Sequence, residues 1–197
     1  MIFHRLGVIN KDQKGFGLAE LIVALAITGL ITGGITMSIF QVFDINTRSN
    51  NHMTAVRQVQ NAGYWISHDA QMAQSIDTVD DITTPEEEVL TLGWVGWEYE
   101  CGSKDTCINT YEVRYTYDAA SEKLWRLETI TIAQYDSHGC LVDPQPAPQN
   151  LTTFIADYIT PIPTSTMNDN KLIVTITALV GESEEVRTYE ITPRPST

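Results

Sequence analysis

Three textures follow one another along the chain. An apolar run opens at Phe16 with Glu20 as its only charge, and the 23 residues from Leu21 to Phe43 carry none. As a helix rising about 1.5 Å per residue, that uncharged stretch reaches about 35 Å, enough to cross a hydrocarbon core of about 30 Å. Residues 44–51 are polar but contain neither proline nor glycine, so nothing in them breaks a helix. Val56, Val59, Gly63, Ile66, Ala70 and Ala73 then recur at alternating spacings of three and four, a narrow apolar stripe on an amphipathic helix. Arg57, Gln58, Gln60, Asn61, His68, Asp69, Gln71 and Gln74 fall off the stripe, and the small Gly63, Ala70 and Ala73 suit the close approach of a sheet. The pattern predicts one helix from about Leu18 to Ile76, apolar over 16–43 and amphipathic over 44–76. A helix of that length needs tertiary support along its outer half.

From Asp77 the period changes. Asp77, Asp80, Asp81, Pro85 and Glu86 to Glu88 mark an acidic loop, and short β-type runs separated by turns follow. Val89–Trp97 is the first. Thr110–Tyr117 alternates, with Tyr111, Val113, Tyr115 and Tyr117 on one face and Glu112, Arg114 and Thr116 on the other. A turn at Asp118–Glu122 leads into Lys123–Ala133, and the proline-rich 143–149 reads as an exposed loop. Leu151–Tyr158 is a strand or a short connection, and Lys171–Val180 with Val186–Ile191 flank a closing turn at Gly181–Glu185. Strands grouped after one helix predict an α+β domain over 77–197, its antiparallel sheet packed on the amphipathic half of the helix.

Charge and cysteine content narrow the setting. The formal net charge is −13 over 197 residues. The leader before Phe16 holds Arg5, Lys11 and Lys14 against Asp12, a sum of +2, so its removal would leave −15. Such a chain repels nucleic acid and has no basic stripe to read it with. The leader's cations precede the apolar span, whereas Asp44 and a single nearby cation, Arg48, follow it. The positive-inside rule then keeps the leader cytoplasmic and exports everything after Phe43. Cys101, Cys107 and Cys140 all lie in the exported part, where disulfides persist. Three pairings are possible, and each leaves one thiol over. The five residues between Cys101 and Cys107 form a loop that one bridge closes, which favours that pair over any with Cys140. The spacing is not that of a zinc site, and His138 beside Cys140 supplies only a second ligand.

The junction at the start of the apolar run is the most specific signal. Lys14-Gly15 ends the polar leader, Phe16 opens the helix and Glu20 is the fifth residue from Phe16. An ordinary secretory signal carries its cleavage site after a shorter apolar core. A plain signal anchor has no use for a carboxylate a turn inside the apolar segment, where it is costly unless paired or near the interface. Lys14 to Ile27 resembles the class III signal of type IV pilins and of the pseudopilins of type II secretion systems. The resemblance implies cleavage between Gly15 and Phe16 by a membrane-embedded peptidase that then methylates the new amine, and an assembly role for Glu20. It implies as partners the prepilin peptidase/N-methyltransferase, other pilin-like subunits, an assembly platform protein and ATPase, and membrane lipid. It places the chain, single-pass, in a bacterial or archaeal cytoplasmic membrane, N-terminus in and C-terminal domain out. Val113-Arg114-Tyr115-Thr116-Tyr117-Asp118 with Lys123-Leu124-Trp125-Arg126-Leu127 resembles the strand–turn–strand of J-type minor pseudopilins and PilW-like minor pilins. Tyr189-Glu190-Ile191-Thr192-Pro193-Arg194 is similar to their closing strand. Unlike many major pilins, this chain has no proline in the apolar helix and no disulfide-bounded C-terminal loop, which favours a minor subunit.

No catalytic pattern survives inspection. His-Glu-x-x-His, Gly-x-Ser-x-Gly and phosphate-loop strings are absent, and Gly15-Phe16-Gly17 begins a dinucleotide-like string with no strand before it. His52 and His68 read as solvated surface residues. Some pseudopilins bind calcium, and Asp77, Asp80 and Asp81, or Asn168, Asp169 and Asn170, offer oxygens. Neither run matches an EF-hand loop, so both read as solvated turns; no cofactor or metal is expected. Trp94, Trp97, Tyr99 and Trp125 are either strand-borne core or a patch for carbohydrate or protein. Two function classes result: a structural minor pilin or pseudopilin assembled into a filament, and a singly anchored extracytoplasmic binding module that never polymerises.

Overall fold

A single helix, α1 (Leu18–Met72), precedes nine strands in a computed structural model that describes residues 17–78, 87–101 and 105–194. The chain is α+β. It divides after Thr47 into two compact units. In the first, every helical residue is exposed, and several of the hydroxyls that interrupt the apolar surface bond within the helix. Thr28, Thr36 and Ser38 donate to the carbonyls of Ala24, Thr32 and Gly34, one turn back, at 2.8, 2.8 and 3.0 Å. A hydroxyl paired in this way loses little on leaving water.

In the second unit, Arg48–Thr197, the outer half of α1 packs on two antiparallel sheets. The first sheet orders β1 (Ser75–Asp77), β2 (Glu87–Val95), β4 (Thr106–Asp118), β5 (Lys123–Tyr135) and β6 (Gln149–Ala156) side by side, with the two-residue β3 (Tyr99–Glu100) also on β4. The second holds β7 (Thr164–Asn168), β8 (Lys171–Val180) and β9 (Ser183–Ile191). One sheet was expected; the chain forms two. Thr160 N donates to Thr177 O at 3.1 Å, Leu179 N to Tyr158 O at 2.8 Å, and Ser165 Oγ to Val89 O at 2.6 Å, so the second sheet is tied to the first through the 157–163 connection and β2.

The buried stripe of α1 is Ala55, Val59, Ala62, Gly63, Ile66, Asp69 and Ala70, broader than the apolar residues alone mark out. It meets Leu90 and Leu92 of β2, Val113, Tyr115 and Tyr117 of β4, Leu124 of β5, Ile155 of β6, and Leu172, Val174 and Ile176 of β8, which together form the core. Tyr111, Val113, Tyr115 and Tyr117 do share the helix-facing side of their strand. Side-chain bonds then fix the helix in position: Asn61 Nδ2 donates to Ile155 O at 2.6 Å, Asp157 N to Gln58 Oε1 at 3.0 Å, and Tyr189 OH to Val59 O at 3.1 Å.

The helix stops at Met72, short of the expected Ile76. Gln74 N donates to Gly93 O at 2.8 Å, and Ser75, Ile76 and Asp77 pair with β2 as an added edge strand. Pairing with the edge of β2 replaces the intrahelical bonds those backbone groups would otherwise make. The two hairpins of the second sheet turn on residues of positive φ: Asp169 and Asn170 (46° and 63°) between β7 and β8, and Gly181 (60°) between β8 and β9. Asparagine, aspartate and glycine tolerate that region best, as two-residue hairpin turns require.

Candidate functional site

The start of α1 places Glu20 at its third helical position, where Glu20 Oε2 accepts from Gly17 N at 3.2 Å. This is the returning half of a capping box, and the carboxylate also faces the positive end of the helix dipole. Gly17 has no other neighbour within reach of a Cβ, and Gly29, Gly33 and Gly34 are equally open. Gly15 and Phe16, the expected processing pair, lie outside the described residues, as do Asp80, Asp81, Pro85 and Glu86 of the expected acidic loop. Among the described residues α1 is one helix long and apolar enough to cross a membrane, and none of that apolar stretch is buried.

The far end of α1 carries a second concentration of chemistry. Asp69, expected on the polar side, is fully buried. Arg126 Nε and Nη2 donate to its two oxygens at 2.7 and 3.2 Å, and Tyr115 OH donates to Oδ2 at 2.6 Å. Arg126 Nη1 donates to Glu128 Oε2 at 2.7 Å, and the guanidinium lies over the Trp65 ring, 5.2 Å from its centroid. Burial alone would lower the Arg126 pKa; the bonds from Asp69 and Glu128 outweigh it and hold the guanidinium above its ordinary value. Tyr115 is pushed above its ordinary range, first by burial and then by the Asp69 charge, so it stays a neutral donor. Both oxygens of the buried Asp69 are bonded within the cluster, and Glu128 bonds it through Oε2.

Beside it opens a cleft of about 580 Å³, lined on the helix side by Trp65 and His68 and on the sheet side by Trp94, Trp97, Tyr111 and Glu128. Its floor follows from the register: Trp94 pairs with Tyr111, Glu128 with Val113 and Leu151, and Arg126 with Tyr115 and Thr153. The Trp94 and Tyr111 rings stack at 5.3 Å with planes 10° apart. Trp97, in the loop after β2, is 85% exposed. Of the aromatic residues singled out in the sequence, Trp94 and Trp97 meet here. Tyr99 lies on β3, where its hydroxyl donates to Asn109 Oδ1 at 3.1 Å, and Trp125 faces the other side of the sheet against Phe154. Trp65, Tyr111 and the Asp69–Arg126 pair were missed. Asp69 stands three residues after the buried Ile66, a spacing that puts it on the packed face as readily as Ala70.

Cys101 and Cys107 are bridged, with Cα atoms 5.8 Å apart, and Cys140 is a free, exposed thiol. His52 and His68 are both exposed, and His68 Nδ1 lies 3.4 Å from Asp69 Oδ1. Asp169 and Asn170 form a hairpin turn. Among the described residues no group of three or more His, Cys, Asp or Glu side chains is placed to hold a metal ion. No curated protein and no solved structure matches the chain. Residues 10–36 match the family model described as the prokaryotic N-terminal methylation motif, which points to a type IV pilin-like or pseudopilin-like precursor.

Proposed function

We propose that this chain is a minor pilin or minor pseudopilin, a structural subunit that enters a filament from the membrane. The observation that carries the reading is the lone carboxylate Glu20 in the first turn of α1, at the start of an apolar stretch that is fully exposed and inside a methylation motif. Prepilin peptidase cuts between Gly15 and Phe16 and methylates the new amine. The cationic Phe16 amine of one subunit then pairs with Glu20 of its neighbour, setting axial register, while a platform protein and an ATPase supply the work. A charge pair in low dielectric is strongly favoured over either charge alone. The mid-chain position of the Cys101–Cys107 bridge supports a minor rather than a bulk subunit.

The test uses native membranes with equal expression verified. Intact mass should show loss of residues 1–15 plus one methyl group in both wild type and Glu20→Ala. Recovery of other pilin-like subunits in a pull-down should fall sharply in Glu20→Ala alone. Retention of Met1 beside an active peptidase, or equal recovery of partners, refutes the reading. Equal recovery is the outcome expected of a simple membrane-anchored binding module.

A further inference from the structure

The cleft at the end of α1 has features that core packing does not explain. Trp97 is 85% exposed, and a large aromatic surface left in water is the kind of exposure that marks binding. Beside it the stacked Trp94–Tyr111 pair and Trp65 present further ring surface into the same space. A volume of about 580 Å³ falls within the range of about 300–1,000 Å³ usual for small-ligand sites.

Charge in the cleft decides what class of ligand fits. Asp69 and Glu128 share Arg126 through bonds of 2.7–3.2 Å, His68 leans on Asp69, and Arg194 on the lining brings the cleft to two carboxylates and two guanidiniums. A cationic ligand would meet Arg126 and Arg194, and an anionic one would meet Glu128 on a chain of net charge −13. The cleft therefore carries no formal net charge of either sign. The polar groups that remain are mixed: Glu128 uses Oε2 for Arg126, and its Oε1 makes no bond among the described residues, while His68, Gln71, Thr153 and Arg194 add donors and acceptors around the aromatic floor. Flat apolar faces framed by alternating donors and acceptors complement a molecule with C–H faces and a rim of hydroxyls.

We propose that this cleft binds the pyranose rings of a neutral glycan, with Trp97 and the Trp94–Tyr111 pair against the ring faces and Glu128, Thr153 and His68 bonded to the hydroxyls. Burial of ring faces on aromatic surface supplies the affinity, and the fixed polar groups select the sugar. The site is independent of Glu20 and of filament assembly, so either can fail without the other.

Full-length protein in a detergent without a sugar headgroup is titrated with neutral hexasaccharides (cellohexaose, maltohexaose, xylohexaose, chitohexaose and mannohexaose), followed by calorimetry and tryptophan fluorescence. At least one should bind saturably and shift the tryptophan emission. Trp97→Ala should weaken that binding about tenfold or more, while Trp125→Phe, on the opposite face of the sheet, should leave it unchanged. Trp97 is a surface residue, and matching thermal transitions for wild type and variant verify that it folds. Absence of saturable binding to any of the five sugars overturns the proposal, as does affinity indifferent to Trp97→Ala. Loss of a co-purifying pilin-like subunit on Trp97→Ala, with no sugar bound, assigns the cleft to protein and equally overturns it.

Discussion

Asp69 shows how much one residue's placement changes its meaning. On a helical wheel it borders the apolar stripe and reads as solvated. In the fold it is fully buried and holds Arg126 and Tyr115 at the centre of the domain. A buried ion pair adds little against a well-packed apolar substitute, but removing one partner strands the other. Arg126→Met should therefore leave Asp69 and Glu128 uncompensated and lower stability by about 3–5 kcal/mol. Urea unfolding followed by tryptophan emission measures it; a loss below about 1 kcal/mol would mean that water already screens the cluster. Glu20 is the opposite case. Its position relative to Gly15 and Phe16 was legible because the signal is a local string, and its near contact, Gly17 N, lies three residues away.

Among the elements, α1 was the easiest to read and its end the hardest. An uncharged run and a stripe at helical spacing are local properties. Where the helix stops depended on Gly93, a residue of β2 whose carbonyl takes the Gln74 N–H. Gly63 shows the same dependence at a packing contact. A Cβ there would come within 2.0 Å of Tyr189 Cζ, so the helix lies directly against the ring, whose hydroxyl reaches Val59 O. Gly63→Ala should force the ring aside, break that bond and cost about 1–3 kcal/mol despite alanine's better helix propensity. Combined with Tyr189→Leu, the two losses should fall short of their sum by about 0.5 kcal/mol or more, read as the shift in unfolding midpoint of the three variants. A stabilised Gly63→Ala would mean that the helix is free to move off the sheet.

At the scale of the whole molecule, the unit Arg48–Thr197 combines a helix-backed pair of sheets with one covalent link. The Cys101–Cys107 bridge closes a short loop against β4, where Cys107 is 2% exposed. Reduction should leave the fold in place and lower stability by about 2–3 kcal/mol through regained loop entropy. Calorimetry with and without reductant, with Cys140→Ser to prevent exchange, checks it; an unchanged transition would show that the 101–107 loop is held by β3 and β4 alone. What the sequence determined by itself was of short range: the apolar span, the methylation motif, the alternation of β4, the α+β class and the turns after β4 and β8, though not β7 or its hairpin with β8. Periodicity and turn chemistry act within a few residues of chain, so they can be read from it. Tertiary structure alone decided that the strands form two sheets, that α1 yields to β1, that Asp69 is buried, and that Trp65, Trp94, Trp97 and Tyr111 converge on one cleft. Each depends on a register or a crossing between segments distant in sequence, and no local pattern encodes which strand will lie beside which.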